Sequence, residues 1–387
     1  MKILGLILEL NPFHNGHKYF IDKAIDEIKP DKTIAIISSS FTMRGEISIL
    51  DKFEKTKQCL KNKIDIVLEL PFAYAVNSSD YFAHYAIKIL NEFKISHLAF
   101  GSEIGNIEEL KEIYKITKTI EYNNLIQKEL AKGSSYPNSS LKALISLSDN
   151  TKYINNFSLP NNTLALSYLK AIEEINETII PFTIRREDNQ YFDTFAAEGK
   201  LASASALRSL INNNLPIDSF IPNYQYDFIK EIDANEKLYQ LFKYQLLNKP
   251  KFENIINISE GIENRLLNFT DSITYQEYIN NTYTKRYPSN RIKRIILHII
   301  ASSNKDILKS DEIYLRILGL NSNGIKYIKK LKNKNIIMNT KDALDNASSN
   351  IKQILELELK MTKVYELITN KNIYKQEFIL QVEKDDN

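Results

Sequence analysis

One segment constrains this chain more than any other: Asn11-Pro12-Phe13-His14-Asn15-Gly16-His17. It follows an apolar run, Ile3–Leu8, and leads into His17–Ile28, where apolar residues recur at helical spacing. A buried strand, a tight turn and a helix are the opening of a βαβ unit. The same alternation repeats. Thr33–Ser38, Asp65–Leu70 and His97–Gly101 read as three more buried strands, with helices over Asp51–Lys61 and Ser78–Asn91 between them. Asp51 is well placed to cap its helix, and Ser78 or Ser79 the other. Right-handed crossovers then give a parallel sheet with helices on both faces. Ile107–Ser148 reads as helical with a break at Gly133–Pro137, Asn162–Ile175 as a helix, Thr178–Arg185 as a fifth strand and Ser203–Asn212 as a helix.

Beyond Asn213 strand-like runs become scarce, and Leu and Ile at helical spacing dominate. A chain of 387 residues suits two or three domains. The boundary is expected in Asn212–Asn223, giving a Rossmann-like α/β domain over 1–212 and a mainly helical domain over 213–387. Charge differs between the parts. Asn281–Ile336 holds 13 Lys or Arg against 3 Asp or Glu, a local excess of +10. Such a concentration attracts phosphate chains. The single cysteine, Cys59, rules out a disulfide framework or a Cys-based zinc site and fits a reducing, cytoplasmic setting. The apolar start ends at Glu9 without a cleavage site, so it does not read as a signal peptide. No stretch is long and apolar enough to span a bilayer, and no membrane partner is expected.

In a parallel α/β sheet ligands bind at the carboxyl ends of strands. A helix amino terminus there offers unpaired N–H groups and partial positive charge, both suited to phosphate. Gly16 allows close backbone approach. His14 and His17, three apart, both face a triphosphate placed at that terminus. Their N–H groups stabilise charge growing on the transferred phosphorus and the leaving pyrophosphate. The bland alternatives are a turn with two ordinary histidines, or a metal pair. No metal is expected, because no third Cys or His lies near. His84, His97 and His298 read as packed or surface residues.

His-Asn-Gly-His after a first strand resembles the (H/T)xGH signature of the nucleotidylyltransferase superfamily, whose members transfer AMP or CMP and release pyrophosphate. Their second signature, I-S-S-T-x-I-R, is loosely matched by Ala202-Ser203-Ala204-Ser205-Ala206-Leu207-Arg208. Read physically, that is a helix amino terminus with Ser203 near its start and Arg208 over the phosphates; a plain serine-capped helix is the alternative. A closer resemblance spans nearly the whole chain. Gly5–His17, Arg44-Gly45-Glu46, Asp51-Lys52, Glu69–Ala75, Ser79–Ala83, Phe100–Glu103, Ser135–Pro137, Leu159–Asn162, Thr183–Arg186, Ala202–Arg208, Arg291–Arg294 and Arg316–Gly319 together resemble the bacterial tRNA(Met) cytidine acetate ligase family.

The resemblance implies two steps. ATP, expected to carry Mg²⁺ as is common in phosphoryl chemistry, adenylates acetate to acetyl-AMP. The wobble cytidine of elongator tRNA(Met) then takes the acetyl group to give N4-acetylcytidine. It also implies an ATP site over Ile7, Leu8, Glu9, Leu10, Asn11, Pro12, Phe13, His14, Asn15, Gly16, His17, Lys18, Tyr19 and Phe20, with Gly101, Asn161 or Asn162, and Arg186 or Arg185. The residues themselves leave those last two choices open. The chain departs from the family pattern at Leu10, at Ser39–Met43 and at Ile47, which puts the acetate pocket in question. Arg44, Glu46, Asp51 and Lys52 are candidates for that pocket, or else a loop salt bridge and a helix cap. Lys285, Arg286, Arg291, Lys293, Arg294 and Arg316 are the expected tRNA contacts, with Tyr287 available for stacking. Two rival functions share the first loop: a small-molecule adenylyltransferase, and a non-catalytic nucleotide- and RNA-binding protein.

Overall fold

The apolar runs read as continuous because the strands are buried on both faces. Along β1 (Ile3–Leu8), Leu4, Leu6 and Leu8 enter one hydrophobic core. Along β2 (Lys32–Ser38), Ala35 and Ile37 join that core, while Ile34 and Ile36 enter a second core on the opposite face. The computed structural model describes residues 1–186, 202–222, 226–259, 261–331, 333 and 335–383. Asn223 at the end of the expected boundary, and Lys332 and Lys334 of the basic segment, lie outside the described residues.

The first half follows the expected alternation. After β1 come α1 (Asn15–Ile28), β2, α2 (Lys52–Lys61), β3 (Ile66–Leu70), α3 (Phe72–Ala75), α4 (Ser79–Glu92) and β4 (His97–Ser102). A helical stretch follows: α5 (Ile107–Thr117), α6 (Ile120–Ala131), α7 (Tyr136–Leu147), α8 (Thr151–Phe157) and α9 (Pro160–Ile175), then β5 (Ile180–Arg185) and α10 (Ala204–Asn212). The second half holds α11 (Glu231–Leu247), α12 (Ile262–Asn268), α13 (Tyr275–Thr282), α14 (Ser289–Ala301), β6 (Ile317–Leu320), α15 (Ser322–Leu331), α16 (Thr340–Asn346), α17 (Ser349–Thr369) and β7 (Gln381–Val382). No helix among the described residues is long and apolar enough to cross a membrane.

The sheet order is β5-β4-β1-β2-β3-β6-β7. The five strands of the first half are mutually parallel. The two strands of the second half extend that sheet, and β6 runs antiparallel to β3. The helical texture of the second half concealed them, because β6 has only four residues and β7 two. Phe72 and Phe82 of the first half share one core with Ile295, Leu355 and Tyr365 of the second.

Charge, as well as apolar surface, joins the halves. Lys52 of α2 is wholly buried and lies 2.6 Å from Glu69 of β3, 2.9 Å from Glu358 of α17 and 2.7 Å from Glu377. Arg316, just before β6, lies 3.0 Å from Glu69 and 2.7 Å from Glu377. The Tyr314 hydroxyl also donates to Glu69, at 2.6 Å. Burial works against the Lys52 charge, but the three carboxylates outweigh it and hold its pKa above the ordinary lysine range. Burial would raise Glu69, yet Arg316 and Lys52 bring it down to about 2. This corrects two expectations. Arg316 is 4% exposed and is a structural ion rather than a tRNA contact. Lys52 belongs to the same lattice rather than to an acetate pocket.

Removing one partner from a buried ion group leaves charge uncompensated, at a cost of roughly 3–5 kcal/mol. Arg316→Leu is therefore expected to lower stability by about that amount in urea unfolding, with the salt dependence of RNA binding unchanged. A reduced salt slope without a stability loss would return Arg316 to the RNA surface.

Candidate active site

The chain builds β1, β2 and β3 in one direction across the sheet, then returns to place β4 and β5 on the other side of β1. That reversal opens a crevice at the carboxyl end of β1, where an α/β sheet takes its ligands. The loop Glu9–His14 lines it and leads into α1.

His14 is the N-cap of α1, and its Nδ1 accepts from the Gly16 N–H at 3.0 Å. In the neutral ring the proton then sits on Nε2. A Cβ at position 16 would lie 2.8 Å from His14 Cε1, so the cap needs glycine there. The His14 and His17 rings are 3.9 Å apart. His14 Nε2 and His17 Nδ1 are buried and have no hydrogen-bond partner among the described residues. Buried polar atoms in that state are uncommon and point to a ligand. Burial, helped by the charge of Arg186, pushes His14 down to about 3. Burial, then His14, Arg186 and Lys55, push His17 well below the ordinary histidine range. Both rings are therefore neutral at physiological pH.

The second wall comes from β4, β5 and α9. A Cβ on Gly101 would lie 2.7 Å from Arg186 Cδ, so the Arg186 side chain lies directly over this glycine. Arg186 Nη1 donates to Asn161 Oδ1 at 2.6 Å. α9 starts at Pro160, two residues before the expected start, and Glu103 caps it. The Glu103 carboxylate accepts from the Asn161 and Asn162 N–H groups at 3.1 and 2.7 Å. Asn162 is buried, accepting from the Ile104 N–H and donating to the Asn156 carbonyl. The structure thus brings Asn161 to Arg186 and leaves Asn162 in a packing role. Arg185 instead lies against Gly105.

Arg208 closes the third side, as a clamp. It donates to the Asn11 carbonyl at 2.9 Å, to Glu46 at 3.1 Å and to Glu231 at 3.1 Å. These contacts use three of its five N–H groups, so Arg208 ties the first loop to Glu46 and Glu231 whatever it offers a ligand. Ser203 caps α10 by accepting from the Ala206 N–H at 3.2 Å, the plainer of its two readings. The Asn11 side chain accepts from the Ile49 N–H at 2.8 Å, and Glu9 from the Met43 N–H at 2.6 Å. Loop Glu9–His14 is therefore tied to loop 41–50.

The remaining residues of the Ile7–Phe20 run divide by packing. Leu8, Leu10 and Phe13 enter the core, with Phe20 packed beside it and Ile7 against the opposite one. Pro12 is buried, and the Asn15 amide donates to the Ser219 carbonyl. Lys18 pairs with Asp22, and the Tyr19 hydroxyl accepts from Lys23, on the outer face of α1. Asp51 caps α2 through the N–H groups of Phe53 and Glu54.

The basic segment also divides. Lys285 and Arg286 are exposed. The Arg286 and Arg291 guanidinium groups lie 5.6 and 5.5 Å from the Tyr287 ring centroid. Arg291 also donates to Ser259. Lys293 and Arg294 turn inward, Lys293 to Glu46 at 3.5 Å and Arg294 to the Met43 carbonyl at 3.2 Å. They hold loop 41–50 instead of lining an RNA surface. For Lys293 the signal was available, since on a helix it points about 200° from Arg291; Arg294, about 60° from Arg291, gave none.

Residues 1–378 match the family model described as HIGH Nucleotidyl Transferase. The chain belongs to this family. It is 34% identical to the tRNA(Met) cytidine acetate ligase of Caldicellulosiruptor bescii over 381 residues, covering 95% of this chain and 94% of the relative. It is 35% identical to the protein of the same name from Oceanobacillus iheyensis, covering 97% and 98%. The solved structure of Thermotoga maritima TmcAL bound with alpha-thio ATP superposes with a TM-score of 0.84 at 26% identity, covering 99% of this chain and all of that one.

The neutral histidines carry a pH prediction. A histidine whose folded pKa is depressed adds stability above its unfolded pKa, and that stability is lost as pH falls. The unfolded chain takes up these protons near pH 6.5, whereas folded His14 resists until about 3. The ligand-free protein is expected to lose stability steadily from about pH 6.5 downward. His14→Asn should flatten that slope in thermal melts; an unchanged slope would place the acid sensitivity elsewhere.

Proposed function

We propose that the chain is an ATP-dependent ligase that adenylates acetate and passes the acetyl group to the wobble cytidine of elongator tRNA(Met). The observation that carries this reading is the pair of buried, unpartnered nitrogens on His14 and His17 at the amino terminus of α1. They meet a triphosphate where its charge grows. The adenosine is read as lying along Gly101, with Asn161 and Arg186 beside it. Mg²⁺ is read as travelling on the phosphate oxygens. Among the described residues no group of three or more His, Cys, Asp or Glu stands ready to cage a metal.

The first step forms a bond between an acetate oxygen and the α-phosphorus of ATP, and breaks the bond to pyrophosphate. His14 Nε2–H, fixed by its cap, donates to the phosphate oxygens, and His17 sits against it. Being neutral, these rings stabilise growing charge without surrendering a proton. In the second step the cytidine amino group attacks the acetyl carbon, AMP leaves with the electron pair of the broken mixed-anhydride bond, and one amino proton passes to solvent. The relatives' name supports acetate and tRNA(Met) as the substrates. A small-molecule adenylyltransferase would have no use for the exposed basic end of α14. The division into an ATP-binding part, 1–212, and an RNA-binding part, 213–387, is retained as a functional one. A cytoplasmic setting, where ATP and tRNA meet, fits.

Pyrophosphate exchange into ATP, with and without acetate, tests the first step; nucleoside mass analysis of added tRNA tests the second. Acetate-dependent exchange and N4-acetylcytidine are expected. His17→Ala should reduce exchange by about 100- to 1,000-fold, the usual cost of one lost donor to a transition-state charge. Exchange driven by another acid alone would remove acetate from the reading.

Lys285 and Arg286 are the outward cations before α14. Replacing both by Ala should weaken tRNA binding and reduce the salt slope by roughly 2, with acetate-dependent exchange unchanged. A salt slope equal to the parent's would move the RNA surface elsewhere.

A further inference from the structure

α2 buries an unusual stripe. Lys52, Lys55, Thr56 and Cys59, at helical spacing, all face inward. Lys52 meets three carboxylates. Lys55, one turn later, is equally buried and meets none within ion-pairing distance among the described residues. Its Nζ donates to the Ser39 carbonyl at 2.9 Å and, more weakly, to the Ser38 carbonyl at 3.4 Å. An ammonium has three donors, so one is left over. Around those carbonyls the hydroxyls of Ser38, Ser39 and Ser40 are buried and have no partner among the described residues. A buried cation with a spare donor, beside a row of unsatisfied hydroxyls, is a site made for a small anion.

We propose that Lys55 holds the carboxylate of the acid that is adenylated, an inference that rests on the ligase reading above.

The topology supports this assignment. Leu8 at the end of β1 pairs with Ile37 of β2, so Ser38–Ser40 emerge beside the loop that carries His14. ATP is read on the β4 side of β1, and Lys55 lies on the β2 side. A carboxylate at Lys55 approaches the α-phosphorus from across the crevice. The charge of Lys55 reaches His17 from one side and Glu9 from another. Ser38, Ser39 and Ser40 are at most 1% exposed, so an anion held there must be small and shielded from water. In the step itself, a carboxylate oxygen forms the new bond to phosphorus, and the electron pair of the broken bond leaves with pyrophosphate. No proton moves, because the acid enters ionised. Lys55 offsets the repulsion between that carboxylate and the triphosphate.

The charged and titratable groups around Lys55 are Glu9 from the first loop, His17 from α1, and Asp51 and Cys59 of its own helix. Burial brings Lys55 down to about 8, against the opposing pull of Glu9, Asp51 and Cys59. The KM for acetate should therefore rise as pH passes about 8 and the ammonium loses its proton.

The test is pyrophosphate exchange by the full-length protein at varied acetate and varied ATP, comparing the parent with Lys55→Met and Lys55→Arg. Lys55→Met should raise the acetate KM by about 10- to 100-fold, the worth of a hydrogen bond to a charged group, and leave the KM for ATP within about twofold. Lys55→Arg should recover most of the loss and remove the rise above pH 8. An unchanged acetate KM in Lys55→Met overturns the proposal. So does a raised KM for ATP alone, which would assign Lys55 to the phosphates. If Lys55→Met fails to fold by circular dichroism, the parent's pH profile and Lys55→Arg decide: an acetate KM flat through pH 9 in the parent overturns it. If the parent exchanges with a different carboxylic acid, acetate is lost from the ligase reading, and Lys55 is judged by the same variants with that acid. If no acid supports exchange, both readings fall.

Discussion

The buried lattice of Lys52, Arg316, Glu69, Glu358 and Glu377 fixes the rest of the molecule. It draws on α2, β3, α17 and the segments flanking β6 and β7, so it holds the second half of the chain against the edge of the first half's sheet. Two cations meet three carboxylates, and burial pushes Glu358 up to about 7, against the pull of Lys52. A lattice of this kind adds little net stability over an apolar core, because desolvation consumes most of the Coulomb gain. What it does supply is register. α2 can sit in only one rotation with Lys52 among its partners, and that rotation also buries Lys55 at the end of β2. The structural lysine thereby orients the unsatisfied one.

A division of labour among the cations follows. Arg208, Lys293 and Arg294 face protein groups and fix loop 41–50 against the first loop and α14. Their work is to hold Asn11 and Glu46 in place. Arg186 lies over Gly101 at the crevice, and Lys55 is the cation proposed to meet the acid. This separation suits a reaction between two anions. Preorganised donors stabilise growing charge most when they need no rearrangement at the moment of reaction, and the clamped loop keeps the His14 cap from rearranging.

The sheet was legible because its strands are short, apolar and separated by helices, and the first loop was legible because strand, glycine turn and helix meet within one run. β6 was not, since Ile317–Leu320 has the composition of its helical surroundings and becomes a strand only by pairing with β3. Arg316 was misread for a related reason. A lysine- and arginine-rich segment reads as one surface, yet β6 carries its neighbour inward while Lys285 stays in solvent. Asn161 and Asn162 were inseparable in sequence; Glu103, reaching across from β4, turns one to Arg186 and packs the other. Lys55 drew no reading from the sequence, because nothing but burial sets it apart from Lys57 and Lys61 on the same helix. Placing it on the stripe of Thr56 and Cys59 would have exposed it.

The neutrality of the two histidines follows from the same arrangement. A protonated pair would bind a triphosphate more tightly in the ground state, and binding that is equal in ground and transition states adds nothing to the chemical step. Burial keeps both rings uncharged, and in the proposed reaction their free nitrogens meet the charge that increases as pyrophosphate departs. Under the same proposal ground-state attraction is left to Arg186, which faces Asn161. Affinity and acceleration then fall to different residues, and Arg186 also helps hold the histidines neutral, because its charge depresses both rings.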